Sequence, residues 1–246
     1  MCIRDSHPTP QELQERIISM FRKPRLPTQV NLVGWSRGGI SCHMLANAMA
    51  QDPVLRGIPV NIFAIDPVPG VGNVQVERVT LTDNVKEYVG FYSRDERSKG
   101  FACVIPTVAS DTRICVYPMP GRHATLVGNA SADGAGDGKV LVEPGLIVRH
   151  FAEVCLTRWG VQLDRRLALG DSQLMKYHQL MAAADKQYEA MRSASYTVLT
   201  EGEKHDRLVH CGEARTYFSK VQGGEYDPSA GLALQRWDAA TYKAIC

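Results

Sequence analysis

An α/β fold, a mainly parallel sheet flanked by helices, is predicted by three features of this 246-residue sequence. Apolar runs recur at 30–34, 60–65, about 85–92 and 113–117, continuous rather than alternating, as in strands buried on both faces. Stretches with helical spacing separate them. At 44% apolar and 22% charged, the chain is long enough to bury one sizeable core.

The elements follow in order. Thr9-Pro10-Gln11-Glu12 is a capping-box signature with proline at the first helical position. Leu13, Ile17, Ile18 and Phe21 give that helix an apolar face, and Pro24 and Pro27 end it. After the strand Val30-Asn31-Leu32-Val33, Ile40, Met44, Leu45 and Ala48 recur at helical spacing until Asp52-Pro53. The strand at 60–65 closes in Asp66-Pro67 and the turn 69–73. The crossover to the third strand is poorly defined, because Val74, Val76, Val79 and Leu81 read partly as strand. That strand ends in Arg94-Asp95-Glu96-Arg97, and the fourth in Pro118-Met119-Pro120-Gly121-Arg122-His123.

Residues 129–138 read as a polar, glycine-rich surface loop. Asp133 and Asp137 lack the ligand count and closing glutamate of a calcium loop, so no metal is expected there. A helix at about 144–159 buries Leu146, Ile147, Phe151, Val154 and Cys155. The division expected is a leader at 1–8, non-native or disordered, a core at 9–160 and a helical accessory region at 161–246. The longest helix of that region spans 172–194, and shorter helical pieces follow.

Composition narrows the function classes. A net charge of +2 and the lack of a dense basic run give no case for nucleic acid. Seven cysteines, without C-x-x-C or zinc spacing, suit buried residues of a chain made in a reducing compartment. No apolar stretch is long enough to span a membrane, and no classical export signal is visible at the N-terminus. No cofactor is expected.

The chemistry concentrates at Gly34-Trp35-Ser36-Arg37-Gly38. This G-x-S-x-G sequence sits between a strand and a helix, the setting of a nucleophile elbow. A serine hydroxyl is a weak nucleophile until a histidine takes its proton and a carboxylate orients that histidine. His123, just past the last strand of the core, is the candidate base; His43, His150, His178, His205 and His210 fall on helical stretches. Two carboxylates compete for the acid. Asp95, one strand before the histidine, is favoured, although a salt bridge with Arg94 or Arg97 would also explain it. Asp66, after the second strand, would otherwise open an Asx-type turn. Both could matter, one orienting His123 and one bracing a loop. Asp83 and Asp111, in connecting segments, are weaker candidates. The N–H of Arg37, at a helix N-terminus, is the natural first oxyanion donor.

Gly34-Trp35-Ser36-Arg37-Gly38-Gly39, the strand ending in Asp66, Arg94-Asp95-Glu96-Arg97 before Phe101, and Pro120-Gly121-Arg122-His123 with Val127-Gly128 form a series. It resembles the α/β-hydrolase family of bacterial type VI secretion phospholipase effectors and their uncharacterised relatives, over about residues 28–160. The resemblance implies Ser36 as nucleophile, His123 as base, Asp66 or Asp95 as acid, and a lipid or other ester as substrate. Trp35, Asp66-Pro67-Val68 and Thr125 depart from the family pattern of phenylalanine, D-T-V and aspartate. The segment 66–73 is also similar to the strand end of class 3 lipases, which favours Asp95. Trp35 and Arg122 are candidates for substrate contact, and Arg37, Arg94, Arg97 and Arg122 could meet a phosphate.

Such folds normally place several strands before the elbow, and only one helix and one strand precede it here. Missing N-terminal strands, supplied by a longer parent chain, are therefore expected, with an exposed edge at Val30–Val33 and poor solubility. The leading expectation is a serine ester hydrolase, made in the cytoplasm and exported non-classically if it is an effector. A non-catalytic binding or structural module and an inactive fragment are the alternatives.

Overall fold

The main sheet pairs β1 (Val30–Trp35), β2 (Val60–Ile65) and β3 (Val85–Ser93) with β5 (Arg113–Met119), all parallel and in that order. The intervening strand β4 (Cys103–Ile105) belongs to a smaller second sheet. The structure, a computed structural model, describes residues 9–20, 26–72, 74–134, 141–194 and 206–218. The four strands coincide with the four apolar runs to within a few residues at each end. The expected leader at 1–8 lies outside the described residues.

Alternation along β2 divides the core into two layers. Val60, Ile62 and Ala64 pack against Cys42, Leu45, Ala46 and Met49 of α2 (Arg37–Gln51). Leu13 and Ile17 of α1 (Pro10–Met20) join this layer. The capping box forms as its sequence requires, with Thr9 N–H donating to Glu12 and Glu12 N–H to the Thr9 hydroxyl. Ile18, expected on the apolar face, is exposed instead, and Phe21 lies outside the described residues. The uncertain crossover holds one helical turn, α3 (Val76–Val79), and a bridge from Thr80 to Thr107.

On the other face Phe63 packs against α4 (Glu143–Arg158) through Ile147, Phe151 and Cys155. Phe91 stacks on Phe63, Tyr117 and Phe151 at centroid separations of 5.3–5.8 Å. Burying each such ring contributes roughly 2–3 kcal/mol, enough to fix α4 across the sheet. Glu87 adds a polar pin, accepting from Arg113, Arg158 and the Trp159 indole.

Helices α5 (Asp171–Ala183) and α6 (Asp185–Ala190) give the C-terminal region its helical character. Beyond them a hairpin stands where short helices were expected: β6 (Leu208–Cys211) and β7 (Ala214–Tyr217), joined through Gly212 at φ 57°. His210 is therefore on a strand, and His205 lies outside the described residues. Four-residue apolar runs do not distinguish strand from helix by period, and here pairing with β4 decides. Val209 of the hairpin and Phe218 just after it pack against Val68, Tyr92 and Cys103, so this part of the region expected as accessory packs on the core. No described helix is long and apolar enough to cross a membrane.

Candidate active site

Ser36 directly follows β1 and stands as the N-cap of α2 with φ 57° and ψ −127°. A non-glycine residue there is strained, and the strain is what a strand-to-helix elbow imposes. An N-cap serine ordinarily bonds the first turn of its helix; here the side chain makes no such bond. The backbone is held instead: Ser36 N–H donates to Ile65 O, while Ser36 O accepts from Gly39 and Val68. The glycines are unequal. A Cβ on Gly34 would collide with the Gly38 carbonyl, and one on Gly39 would lie 2.8 Å from Pro67 Cβ, whereas Gly38 has open space.

The acid hydrogen-bonded to His123 is Asp66. His123 Nδ1 lies 2.7 Å from Asp66 Oδ2, with both side chains buried. Asp66 terminates β2 at φ 45° and also accepts from Ser93 N–H at 3.0 Å and Ser93 Oγ at 2.9 Å. Arg207, just before β6, grips both carboxylate oxygens at 2.5 and 2.9 Å. Burial pushes the Asp66 carboxyl up, but the charge of Arg207 and the hydrogen bond from His123 outweigh it and hold the group well below the usual carboxylate range. An ionised Asp66 only accepts, so Nδ1 is the donor, which in the neutral ring leaves the lone pair on Nε2.

The preference for Asp95 is overturned by this geometry. Asp95 is fully buried and faces Arg94 and Arg192. It also accepts from Gly121 N–H at 2.9 Å and donates its own N–H to Gly121 O. It therefore braces the turn that delivers His123, the second of the two roles considered. Lying two residues beyond the end of β3, it turns away to the arginines, while Ser93 at the strand end meets Asp66.

Arg122 is likewise corrected: at 1% exposure it reaches no substrate. It pairs with Glu96 at 3.1 Å and donates to Ser98 Oγ and to the carbonyls of Asp133 and Ala194. Burial pushes Glu96 up, but the charge of Arg122 and the bonds from Ser98 bring its carboxyl below the usual range. Of the other arginines considered for phosphate, Arg94 is tied to Asp95 and Asp185, and Arg97 donates to the carbonyls of Arg94 and Glu96. Arg37 is exposed as the first residue of α2. Asp133 turns inward to accept from Thr125 N–H and Oγ, so it is an interior brace; Asp137 lies outside the described residues. Asp111 is exposed and paired with Lys86, and Asp83 is exposed.

Two rings frame the histidine. Trp35 stacks on His123 at 5.0 Å and Phe101 meets it edge-on at 4.8 Å. The Trp35 indole N–H also donates to His123 O at 3.3 Å. Stacking on the residue before Ser36 brings the histidine to the elbow. Among the described residues, Ser36 Oγ makes no hydrogen bond, to His123 or any other group. Beside this cluster a groove of about 440 Å³ is lined mainly by Ile65, Leu126, Val127, Leu146, Val148 and Ala152. It begins one residue before Asp66 and follows the loop after His123.

Two of the other histidines have structural partners. His43 lies between Arg78 O and the Tyr88 hydroxyl, and His150 Nδ1 accepts from Leu169 N–H. Sequence reasoning missed Ser93 and Arg207. Ser93 was accessible as the residue just past a predicted strand; nothing local marks Arg207, which is 141 positions from the aspartate it binds.

No protein-family model matches the chain, and no curated protein does. A solved structure described as an uncharacterized protein from Pseudomonas aeruginosa is similar to it, with 15% identity and a TM-score of 0.35. The match covers 80% of this chain and 41% of that protein, so the chain spans about two fifths of its length.

Proposed function

We propose that this chain is a serine ester hydrolase of lipase type, with Ser36 as nucleophile, His123 as base and Asp66 as orienting acid. The observation that carries the reading is the meeting, at adjacent strand ends, of a serine in a strained elbow with a histidine bonded through Nδ1 to a buried carboxylate. In the reaction, Ser36 Oγ bonds to the acyl carbon as its proton passes to His123 Nε2, and the carbonyl electrons move to oxygen. The N–H of Arg37, at the start of α2, is suited to that oxyanion. Collapse of the tetrahedral intermediate breaks the ester bond, with the proton going from Nε2 to the leaving alkoxide. Water then repeats the sequence on the acyl-enzyme. The apolar groove beside Ile65 suits an acyl chain, and the resemblance to phospholipase effectors places phospholipids, and export as an effector, among the options to test.

A second reading, a non-catalytic module of the same fold, is favoured by one observation: Ser36 Oγ is not bonded to His123. Labelling with a fluorophosphonate separates the two. Wild type should label at Ser36 and Ser36→Ala should not. A folded wild type that stays unlabelled would count against the hydrolase reading.

A further inference from the structure

We propose that Arg207 is a positioning residue of this site, one that fixes Asp66 and sets a buried cation against the carboxylate that Asp66 presents to His123; the proposal rests on the triad reading above. Arg207 is buried to 1% exposure and Asp66 completely. Its fork takes both oxygens of Asp66, and the same two nitrogens donate to Ser93 O at 2.5 Å and Phe101 O at 3.0 Å. The residue therefore ties together the end of β3, the Phe101 segment that touches the His123 ring, and the acid itself. A planar bidentate donor holds a carboxylate in one orientation, which a single contact cannot do.

The electrostatic consequence follows from position. A histidine that takes a proton beside a lone carboxylate gains a full opposite charge. Here that carboxylate is already matched by a buried cation on its far side. The other charged groups of the surrounding loops have partners of their own. Glu96, which accepts the His123 N–H at 3.4 Å, is paired with Arg122. Asp95 is paired with Arg94 and Arg192, Asp133 is bonded to Thr125, and Arg97 is held by backbone carbonyls. Trp35 and Phe101 cover the ring without charge. The cation of Arg207 is linked to His123 through the carboxylate that both of them bond. Because Arg207 enters from the segment leading into β6, docking of the hairpin and assembly of the triad become one event.

The test compares Arg207→Gln, which removes the charge, with Arg207→Lys, which keeps it without the fork. NMR follows the pH at which the His123 ring titrates, and the acidic limb of kcat/KM is recorded beside it. Both should rise by about one pH unit or more in the glutamine variant. The lysine variant should stay near wild type in midpoint but lose turnover per labelled site, through a misplaced Asp66. An unchanged midpoint in folded Arg207→Gln overturns the proposal and leaves Arg207 a packing residue. Should that variant fail to fold, Asp66→Asn is compared with Asp66→Asn/Arg207→Gln. His123 should titrate at least about one unit lower in the single variant, and equal midpoints would overturn the proposal. The ring titration needs no turnover, so an unlabelled wild type would defeat the hydrolase reading while leaving this test intact.

Discussion

His123 donates from Nδ1 to Asp66 Oδ2 at 2.7 Å across the end of β3, the strand that lies between theirs in the sheet. That reach is possible because β3 stops in Ser93, whose N–H and hydroxyl both bond the same carboxylate. The strand between histidine and acid thus contributes a brace.

The two aspartates should separate cleanly on mutation. Asp66→Asn, with the histidine tautomer no longer enforced, is expected to lower kcat by on the order of 10⁴. Asp95→Asn leaves the partly exposed Arg94 and Arg192 short of charge and should cost stability, but less than the loss of about 3–5 kcal/mol for a fully buried pair. Its turnover per titrated active site should fall less than about tenfold. Ester hydrolysis normalised to fluorophosphonate titration measures both. Equal losses per site would return Asp95 to the catalytic role.

The elbow glycines give a steric prediction. Gly34→Ala forces a Cβ into the backbone at Gly38 and should prevent folding or abolish labelling of Ser36. Gly38→Ala meets nothing within 4 Å and, as a replacement at the start of α2, should fold with stability within about 1 kcal/mol of wild type. Thermal unfolding of both proteins decides the matter.

Arg122→Met should act on stability and not on substrate affinity. The change leaves Glu96 buried without its cation, a loss of about 3–5 kcal/mol where such pairs are broken. KM of the folded fraction should remain within about twofold, far below the tenfold that 1.4 kcal/mol of lost binding would cause. A large rise in KM at unchanged Tm would show that Arg122 reaches substrate after all.

Stability should fall with acid in two windows. Burial lowers the His43 and His178 pKa values from 6.5 to about 4, so the unfolded chain binds their protons first. Their contribution is complete above 6.5 and lost as pH falls toward about 4, with up to two protons taken up on unfolding. Asp66, Glu87 and Glu96 are also depressed: burial pushes each up, and Arg207 with His123, Arg158 with Trp159, and Arg122 with Ser98 more than offset it. Their contribution is full above the ordinary carboxylate range, near 4, and fades below it. Calorimetry across pH 7 to 2 should show both phases, and His178→Leu should shrink the first. A Tm flat between pH 7 and 4 would contradict the buried-histidine account.

Which parts of this protein its sequence determined follows from the range of the forces involved. The four main-sheet strands, α1 with its capping box, α2 and the elbow are set by neighbours a few residues apart, through apolar period, caps and the glycines around Ser36. Those signals were strong enough to place Ser36 and His123 at strand ends. The choice of acid was not local: the sequence favoured Asp95, one strand before the histidine, and only the folded sheet shows Asp66 meeting Ser93 and His123 while Asp95 meets arginines. Arg122 read as a surface cation because charge suggests exposure, yet Glu96 allows it to be buried. The β6–β7 hairpin and Arg207 were settled by tertiary structure alone. A four-residue strand is stabilised by its partner β4, and a buried arginine by a carboxylate 141 positions away, and neither partner leaves a mark on the local sequence.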